Sequence, residues 1–205
     1  MSKDKVNKFF KIINSYNDFE HLLSIIICNS GPTLKKQKTA SLIIFNENGR
    51  RLNKLWDKYK SKVKEKLNID YFELKKNQNS TIVIFYNYEM LKSNLNDKLN
   101  MRFLNRFGYN NEMNLQQCMQ LLSERYQKAC PHEIGIFLGY PTEDVVTFVD
   151  CPDKECKLIG YWKVYHDIEK AKVIFQAYDL LKQNIIEGIL NGYSPIKLIN
   201  ERVYL

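Results

Sequence analysis

Short apolar runs typical of strands alternate along this chain with longer stretches of helical periodicity, and this alternation constrains the fold more than any other feature. Apolar side chains recur at helical spacing over residues 4–14, 17–29 and 50–67. The short apolar runs predict strands at residues 39–45, 71–74, 81–86, 133–138 and 158–165. We therefore predict a single α/β domain over residues 1–205, with a central mixed sheet of about five strands flanked by helices.

Capping and turn residues set the predicted ends of the helices. Gly31-Pro32 is expected to stop the second helix, and residues 89–107 are expected to form one helix that ends at Gly108. Later helices are expected to begin at side chains that suit an N-cap, which are Asn114, Thr142 and Asp167. The last of these helices is predicted to run to about residue 183, with a helical extension over residues 184–205.

The composition favours a folded protein that does not enter membranes. Of 205 residues, 44% are hydrophobic and 26% are charged, which is the balance of a globular chain. No apolar run reaches the roughly 18 residues that a membrane span needs. Charged residues precede the first apolar stretch, which argues against a signal peptide. Because the five cysteines are irregularly spaced, reduced thiols in the cytoplasm are the expectation.

The net charge of +8 is concentrated in one segment of the chain. Residues 35–66 hold eleven Lys and Arg side chains against three carboxylates, and the rest of the chain is neutral overall. Such a segment can attract nucleic acid or an acidic partner, and binding of that kind weakens as salt rises. The alternative is a solvated helix face, because no known nucleic-acid motif accompanies the lysines.

The sequence PHEIGIFLGYP at residues 131–141 is the best candidate for a functional site. In a strand, His132 and Glu133 would point to opposite faces, whereas Gly135 and Gly139 would share one face. His132 is a candidate general base or ligand because histidine titrates near neutrality, or it caps the preceding helix. The two glycines would leave a groove that either a ligand or a packed helix fills.

Two polar sets follow this segment. Glu143 and Asp144 either compensate the charge of a helix N-terminus or flank an anion bound at its amides. In GYWKVY, strict alternation would place Tyr161, Lys163 and Tyr165 on one face of the last strand. A lysine between two tyrosines can hold a phosphate or carboxylate, with the rings stacked on a planar group. The alternative is a polar strand face that meets solvent.

A nucleophilic set can also be drawn from the sequence. It would combine a nucleophile, a base and a group that orients the base. Its members would be Ser30 or Cys28, then His132, and then Glu143 or Asp144. No nucleophile-elbow motif accompanies them.

A zinc site that includes His132 has less support in the sequence than the nucleophilic set. Cys151 and Cys156, with Cys130 and His132, supply the residue types that bind zinc. The four residues between Cys151 and Cys156 make a looser pair than zinc sites usually have, so we predict no metal.

Three blocks of sequence carry a resemblance to one known family. They are residues 131–141 with Glu143-Asp144-Val145, the GYWKVY sequence at 160–165, and residues 31–34 with 38–45. The chain resembles an uncharacterised family, a domain of unknown function in small cytosolic proteins, mostly from anaerobic Gram-positive bacteria. The resemblance covers roughly residues 20–182 and implies no established activity. The family pattern often has Cys-Ala-Pro-Thr where residues 30–33 read Ser-Gly-Pro-Thr, which weighs against an obligatory cysteine mechanism.

These patterns favour a cytosolic small-molecule or cofactor-binding protein with its site around residues 131–141, and they leave open whether it is an enzyme. The candidate catalytic residues are His132, Glu143 and Ser30, and the candidate ligand-binding residues are Gly135, Gly139, Tyr161, Lys163 and Tyr165. The alternatives are a module that binds nucleic acid or an acidic partner through residues 35–66, and a protein–protein adaptor. Neither a cofactor nor an oligomeric state is assigned.

Overall fold

The computed structural model describes residues 2–200, which form an α/β arrangement of helices around a small sheet. In chain order the elements are α1 (Lys3–Ser15), α2 (Asp18–Leu34), β1 (Ala40–Asn46), α3 (Leu52–Leu67), β2 (Asp70–Lys76), β3 (Ser80–Tyr86), α4 (Tyr88–Asn96), α5 (Lys98–Leu104), α6 (Leu115–Lys128), α7 (Ile134–Phe137), α8 (Thr142–Asp150), β4 (Leu158–Ile159), β5 (Lys163–Val164), α9 (Ile168–Leu190) and α10 (Pro195–Asn200). A single 3₁₀ turn, Asn105–Phe107, follows α5.

The sheet separates two hydrophobic cores. Its strand order is β1-β3-β2, and both pairings are antiparallel. Because side chains alternate along a strand, Val83 and Phe85 pack with α1, α2, α3 and α9 on one side. Ile84 and Tyr86 pack with α4 to α8 on the other side. The candidate site lies on this second side.

The α/β class is confirmed, but the described residues do not form the central mixed sheet of about five strands. The central sheet has three antiparallel strands, and β4 and β5 form a separate hairpin. Hairpin connections give antiparallel strands, whereas parallel pairing needs long crossovers. The strands predicted at 39–45, 71–74 and 81–86 match β1, β2 and β3, whereas those at 133–138 and 158–165 do not reach the sheet.

The segment predicted as a strand at 133–138 contains the helical turn α7 instead. The N–H groups of Ile134, Gly135 and Ile136 each donate to the carbonyl three residues earlier, at 3.2, 3.3 and 3.0 Å. A short buried apolar run fits a strand or a helical turn equally well, so periodicity cannot distinguish them. The predicted faces of His132, Glu133, Gly135 and Gly139 therefore do not exist, because they assumed strand alternation.

The strand predicted at 158–165 is a tight hairpin. Gly160 N donates to Trp162 O at 3.1 Å, and Lys157 N donates to Val164 O at 2.8 Å. The hairpin lies against α9, where the Phe175 ring occupies the space that a Cβ on Gly160 would need. The turn interrupts the alternation on which the shared face of Tyr161, Lys163 and Tyr165 depended.

Two of the three predicted N-cap residues are confirmed, and the third is wrong. The side chains of Asn114 and Asp167 cap α6 and α9 by accepting backbone N–H groups, as predicted. Thr142 does not cap α8, which begins after Pro141. The Thr142 hydroxyl donates instead to the side-chain oxygen of Asn100 on α5.

The structure also differs from the prediction at residue 31, where a helix was expected to stop, and at residue 97, where a helix was expected to continue. Gly31 and Pro32 lie inside α2, where Gly31 packs so closely on Ile185 that a Cβ would lie 2.6 Å from it. Asp97 divides the helix predicted over 89–107, because its side chain caps α5 by accepting Leu99 N and Asn100 N. The helix predicted to end near residue 183 is α9, which runs to Leu190. Residues 201–205 of the predicted extension lie outside the described residues.

Candidate functional site

A cavity of about 340 Å³ lies between the residues that follow α6, the helix α8 and the hairpin β4–β5. Most of its wall is aromatic or aliphatic, formed by Ile134, Tyr140, Val145, Phe148 and Trp162. Polar side chains also join that wall, among them His132, Asp144 and Lys163. An apolar cavity with a few polar groups is the usual form of a small-molecule site.

A stacked pair of aromatic rings forms one side of the cavity. The centroids of Tyr140 and Trp162 are 5.2 Å apart, with an angle of 29° between the ring planes. Phe175 of α9 packs edge-on against Trp162 at 4.5 Å. Tyr140 and Trp162 also line a larger groove of about 1120 Å³, so this ring pair is shared by the cavity and the groove.

Asp144 fastens the hairpin to α8. One of its carboxylate oxygens accepts Trp162 Nε1 at 2.8 Å, and the other accepts the backbone N–H groups of Tyr165 and His166 at 2.8 and 3.1 Å. The side chain is buried, and these three donors replace the hydration that the carboxylate loses. Asp144 lies in the first turn of α8, as predicted, but its main contacts are with the hairpin.

Glu133 fastens the start of the 131–141 segment to α6. Its buried carboxylate forms an ion pair with Arg125, whose Nη2 donates at 3.3 Å, and Tyr109 donates a long hydrogen bond of 3.5 Å. Burial, followed by the charge of Glu133, raises the pKa of the Tyr109 hydroxyl. The hydrogen bond to Glu133 raises the pKa of Arg125. Glu133 is therefore an anchor, and it does not line the cavity.

His132 and Lys163 meet at the ring of Phe148. The His132 and Phe148 ring centroids are 5.0 Å apart, and Lys163 Nζ lies 5.2 Å from the Phe148 centroid. Among residues 2–200, Lys163 Nζ has no carboxylate within ion-pair distance. The structure thus brings together two of the side chains that the sequence nominated, from segments about thirty residues apart.

The two nominated glycines contact protein rather than empty space. A Cβ on Gly135 would lie 2.7 Å from Val145 of α8, so this glycine lets α7 and α8 approach closely while it also lines the cavity. Gly139 has φ +77° and lies against the Thr39 side chain, which occupies the position of a Cβ. Gly139 lines the groove and not the cavity.

The remaining nominated residues do not join His132 and Lys163 in the cavity wall. The Ser30 hydroxyl is buried in α2 and donates to Ile26 O at 2.6 Å. Glu143 is exposed and lines the groove. Tyr165 is buried, and the Tyr161 hydroxyl donates to Asp179 at 3.0 Å. None of these four lines the cavity, so a serine nucleophile paired with His132 has no support in the geometry.

Many of the basic side chains in segment 35–66 are paired with carboxylates, some within the segment and some outside it. At least five of its side chains form ion pairs with carboxylates, which are Arg50 with Asp18, Lys54 with Glu47, Lys60 with Glu73, Lys64 with Asp70 and Lys66 with Glu65. Two more, Lys58 and Lys62, lie over the rings of Tyr59 and Phe19. The carboxylates weaken the local positive field. Binding of nucleic acid or an acidic partner stays a prediction that these contacts do not favour.

Neither a metal site nor a membrane-spanning helix is found in the part of the chain that the structure describes. Over residues 2–200, no three His, Cys, Asp or Glu side chains converge as a metal site would require. Within the same range, every helix is too short or too polar to cross a bilayer.

One residue near these sites was missed by the sequence reasoning. Lys38 Nζ lies over the rings of Tyr140 and Tyr161, at 5.6 and 5.7 Å from their centroids. In the sequence Lys38 is one of eleven basic residues in its segment, and nothing local distinguishes it. The two rings come from distant parts of the chain, so only the fold reveals the contact.

Comparison with known proteins gives one match. A family model described as "Protein of unknown function (DUF3793)" matches residues 26–199. No curated protein and no solved structure matches the chain.

Proposed function

The chain belongs to the family described as protein of unknown function (DUF3793), and from this premise we propose that it binds a small planar carboxylate in the cavity beside α7 and α8. The observation that carries the proposal is Lys163, an ammonium group without a carboxylate partner among residues 2–200, at the edge of an aromatic cavity. The family description assigns no activity, so only the geometry of the cavity supports this function.

The size and walls of the cavity support a planar ligand. A volume of about 340 Å³ is at the lower end of the roughly 300–1,000 Å³ typical of small-molecule sites. Tyr140, Phe148 and Trp162 present ring faces and edges on which a flat group can pack. A ligand of about one or two fused rings matches that space.

The charges of the cavity support a negatively charged ligand. Both oxygens of Asp144 already accept hydrogen bonds, so this carboxylate has little capacity left for a cationic ligand. Lys163 retains its donors, and His132 beside the same Phe148 ring offers a second polar contact. A ligand carboxylate beside Phe148 would pair with Lys163 and could accept a hydrogen bond from His132.

The test compares acids with their neutral amides. Benzoate, 2-naphthoate and indole-3-acetate are titrated into the full chain by calorimetry, each beside its primary amide. We expect at least one acid to bind at least about tenfold more tightly than its amide, because a hydrogen bond to a charged group contributes about 1.5–3 kcal/mol. Equal affinity for acid and amide, or no binding by any of the six compounds, would overturn the proposal.

A pair of lysine variants locates the interaction. Lys163→Met should reduce the preference for the acid to about the level of the amide, because it removes the ammonium group but keeps a long apolar side chain. Lys154→Met is the matched control, since Lys154 is exposed and does not line the cavity. The control should bind like the unmodified protein.

A further inference from the structure

Lys38 does not line the proposed ligand cavity, but it lies beside it in an aromatic environment. Its amine nitrogen is within 6 Å of two ring centroids, at 5.6 Å from Tyr140 and 5.7 Å from Tyr161. Across residues 2–200, no carboxylate is close enough to pair with it. The ring faces attract the ammonium form, whereas burial without a counter-ion favours the neutral amine, and buried amines of this kind are the ones that proteins use as nucleophiles.

The backbone around Lys38 is fixed by several contacts. The N–H groups of Gln37 and Lys38 both donate to Pro32 O, at 2.8 and 3.1 Å. Gln37 O accepts the Tyr178 hydroxyl of α9 at 3.2 Å, and the next residue along the chain, Thr39, packs against Gly139. These contacts fix the backbone from which the Lys38 side chain extends, which lowers the entropic cost of bringing a reactant to its amine.

The amine lies beside a groove that can admit a ligand. Three residues next to it, Thr39, Tyr140 and Tyr178, line the groove of about 1120 Å³. Lys38 itself is partly exposed rather than sealed in the core. Lys38 is not among the lining residues, so a small carbonyl compound in the groove would reach the amine between these three side chains.

The titratable groups around Lys38 leave its amine as the reactive one near neutral pH. Burial lowers the pKa of Lys38 to about 8. Burial raises the pKa of Tyr140 to about 12, and it also raises the pKa values of Tyr161 and Tyr178. The carboxylate of Asp179 accepts the Tyr161 hydroxyl, so it is already engaged.

Cys28 is a fifth titratable group in this region, close enough to Tyr161 to influence its pKa. Cys28 of α2 is buried, and burial raises the pKa of its thiol, so it brings no negative charge to this region near neutral pH. Because the pKa of Lys38 is about 8, roughly a quarter of its amine is neutral at pH 7.5. An ordinary lysine is neutral to roughly one part in a thousand at that pH.

We propose that Lys38 is a nucleophilic amine that forms an imine with an aldehyde or ketone bound in the groove. The lone pair of the neutral amine attacks the carbonyl carbon, and the carbonyl π electrons move to oxygen, which takes up a proton. The resulting carbinolamine loses its hydroxyl group and the remaining nitrogen proton as water, which leaves a C=N bond. The site is distinct from the cavity, and the two share only the Tyr140–Trp162 ring pair as a wall.

The test measures how selectively an aldehyde labels Lys38. The full chain is incubated with 4-formylbenzoate and sodium cyanoborohydride, which reduces an imine to a stable amine, and each labelled lysine is quantified by peptide mass spectrometry. We expect Lys38 to be labelled at least about tenfold faster than the exposed Lys11 of α1 at pH 7.5, and its rate to level off above about pH 8.

Two controls make the result decisive. In urea, Lys38 and Lys11 should react at equal rates, because unfolding removes the aromatic surroundings. Lys38→Arg keeps a cation between the rings and should remove the fast phase of labelling. Labelling of Lys38 no faster than Lys11 in the folded protein, or selectivity that survives in urea, overturns the proposal. The failure of acids to bind the cavity would leave it unaffected.

Discussion

At the scale of single residues, buried charges determine how the site is built. Glu133 is held by Arg125 and Tyr109, and Asp144 is held by one indole N–H and two backbone N–H groups. Each carboxylate joins segments that are distant in the sequence. Because a buried polar group without partners is costly, each of these contacts also fixes the position of the segment that carries it.

Asp144→Ala should be strongly destabilising. The change leaves the N–H groups of Trp162, Tyr165 and His166 without their acceptor. A buried donor that loses its partner costs about 1–3 kcal/mol, and three of them predict a loss of about 3 kcal/mol or more in the free energy of unfolding. Urea denaturation followed by Trp fluorescence measures this loss.

The neighbouring residue supplies the control for that change. Glu143 is exposed on the same turn of α8. Glu143→Ala should alter the free energy of unfolding by no more than about 0.5 kcal/mol. If both variants were equally stable, the hydrogen bonds of Asp144 would not hold the hairpin against α8.

At the scale of elements, the pattern of apolar residues determines the long helices, whereas contacts with neighbouring elements determine the conformation of the short elements. The helix α3 keeps Leu55, Trp56 and Val63 on one buried face, so its periodicity is sufficient to predict it. The turn α7 has four residues and the strands β4 and β5 have two each. Elements this short have no stability of their own, and contacts with Val145 and Phe175 shape them.

Gly139→Ala should destabilise the protein through backbone strain and a clash. Gly139 has φ +77°, which disfavours a Cβ by about 1–2 kcal/mol. The added Cβ would also meet the Thr39 hydroxyl. We expect a total loss of about 3 kcal/mol in the free energy of unfolding, measured by urea denaturation.

Gly192 allows the cost of backbone strain to be measured without the cost of a clash. Gly192 has φ +85°, but no atom lies within 4 Å of the position of its Cβ. Gly192→Ala should therefore cost only the backbone strain, about 1 kcal/mol. Thr39→Gly removes both the hydroxyl and the Cβ that a Gly139 Cβ would meet. In that background Gly139→Ala should cost close to the same value, and an unchanged cost would show that the contact with Thr39 does not matter.

At the scale of the whole molecule, Lys38 couples stability to pH. The pKa of Lys38 is lowered to about 8 in the folded protein, whereas an unfolded lysine titrates near 10.4. Below pH 8 the Lys38 amine is protonated in both the folded and the unfolded protein. Burial of the charged amine then lowers the free energy of unfolding by a constant amount. Between about pH 8 and 10 the unfolded state still holds it while the folded state has released it, so rising pH favours folding.

The difference between the unmodified protein and Lys38→Met isolates this effect. Tyrosines and cysteines with raised pKa values oppose it at alkaline pH, but they are present in both proteins. The unmodified protein should gain up to roughly 1 kcal/mol per pH unit relative to Lys38→Met between pH 8 and 10. A constant difference over that interval, measured by urea denaturation at each pH, would mean that Lys38 titrates normally.

The sequence by itself determined the α/β class, the three strands of the sheet and the helices whose apolar face is long enough to repeat. The caps at Asn114 and Asp167 were also readable, because a cap needs only a local side chain. It also nominated His132 and Lys163, which the fold brings to the same cavity.

Only the tertiary structure decided the form of residues 131–141 and 158–165 and the surroundings of Lys38. The ring pair of Tyr140 and Trp162, the bonds of Asp144 to the hairpin and the rings around Lys38 all join residues far apart along the chain. Periodicity reports burial within one element, and it carries no information about which other element provides the contact. The cavity and the aromatic environment of Lys38 exist because of those contacts, and they could be found only in the folded chain.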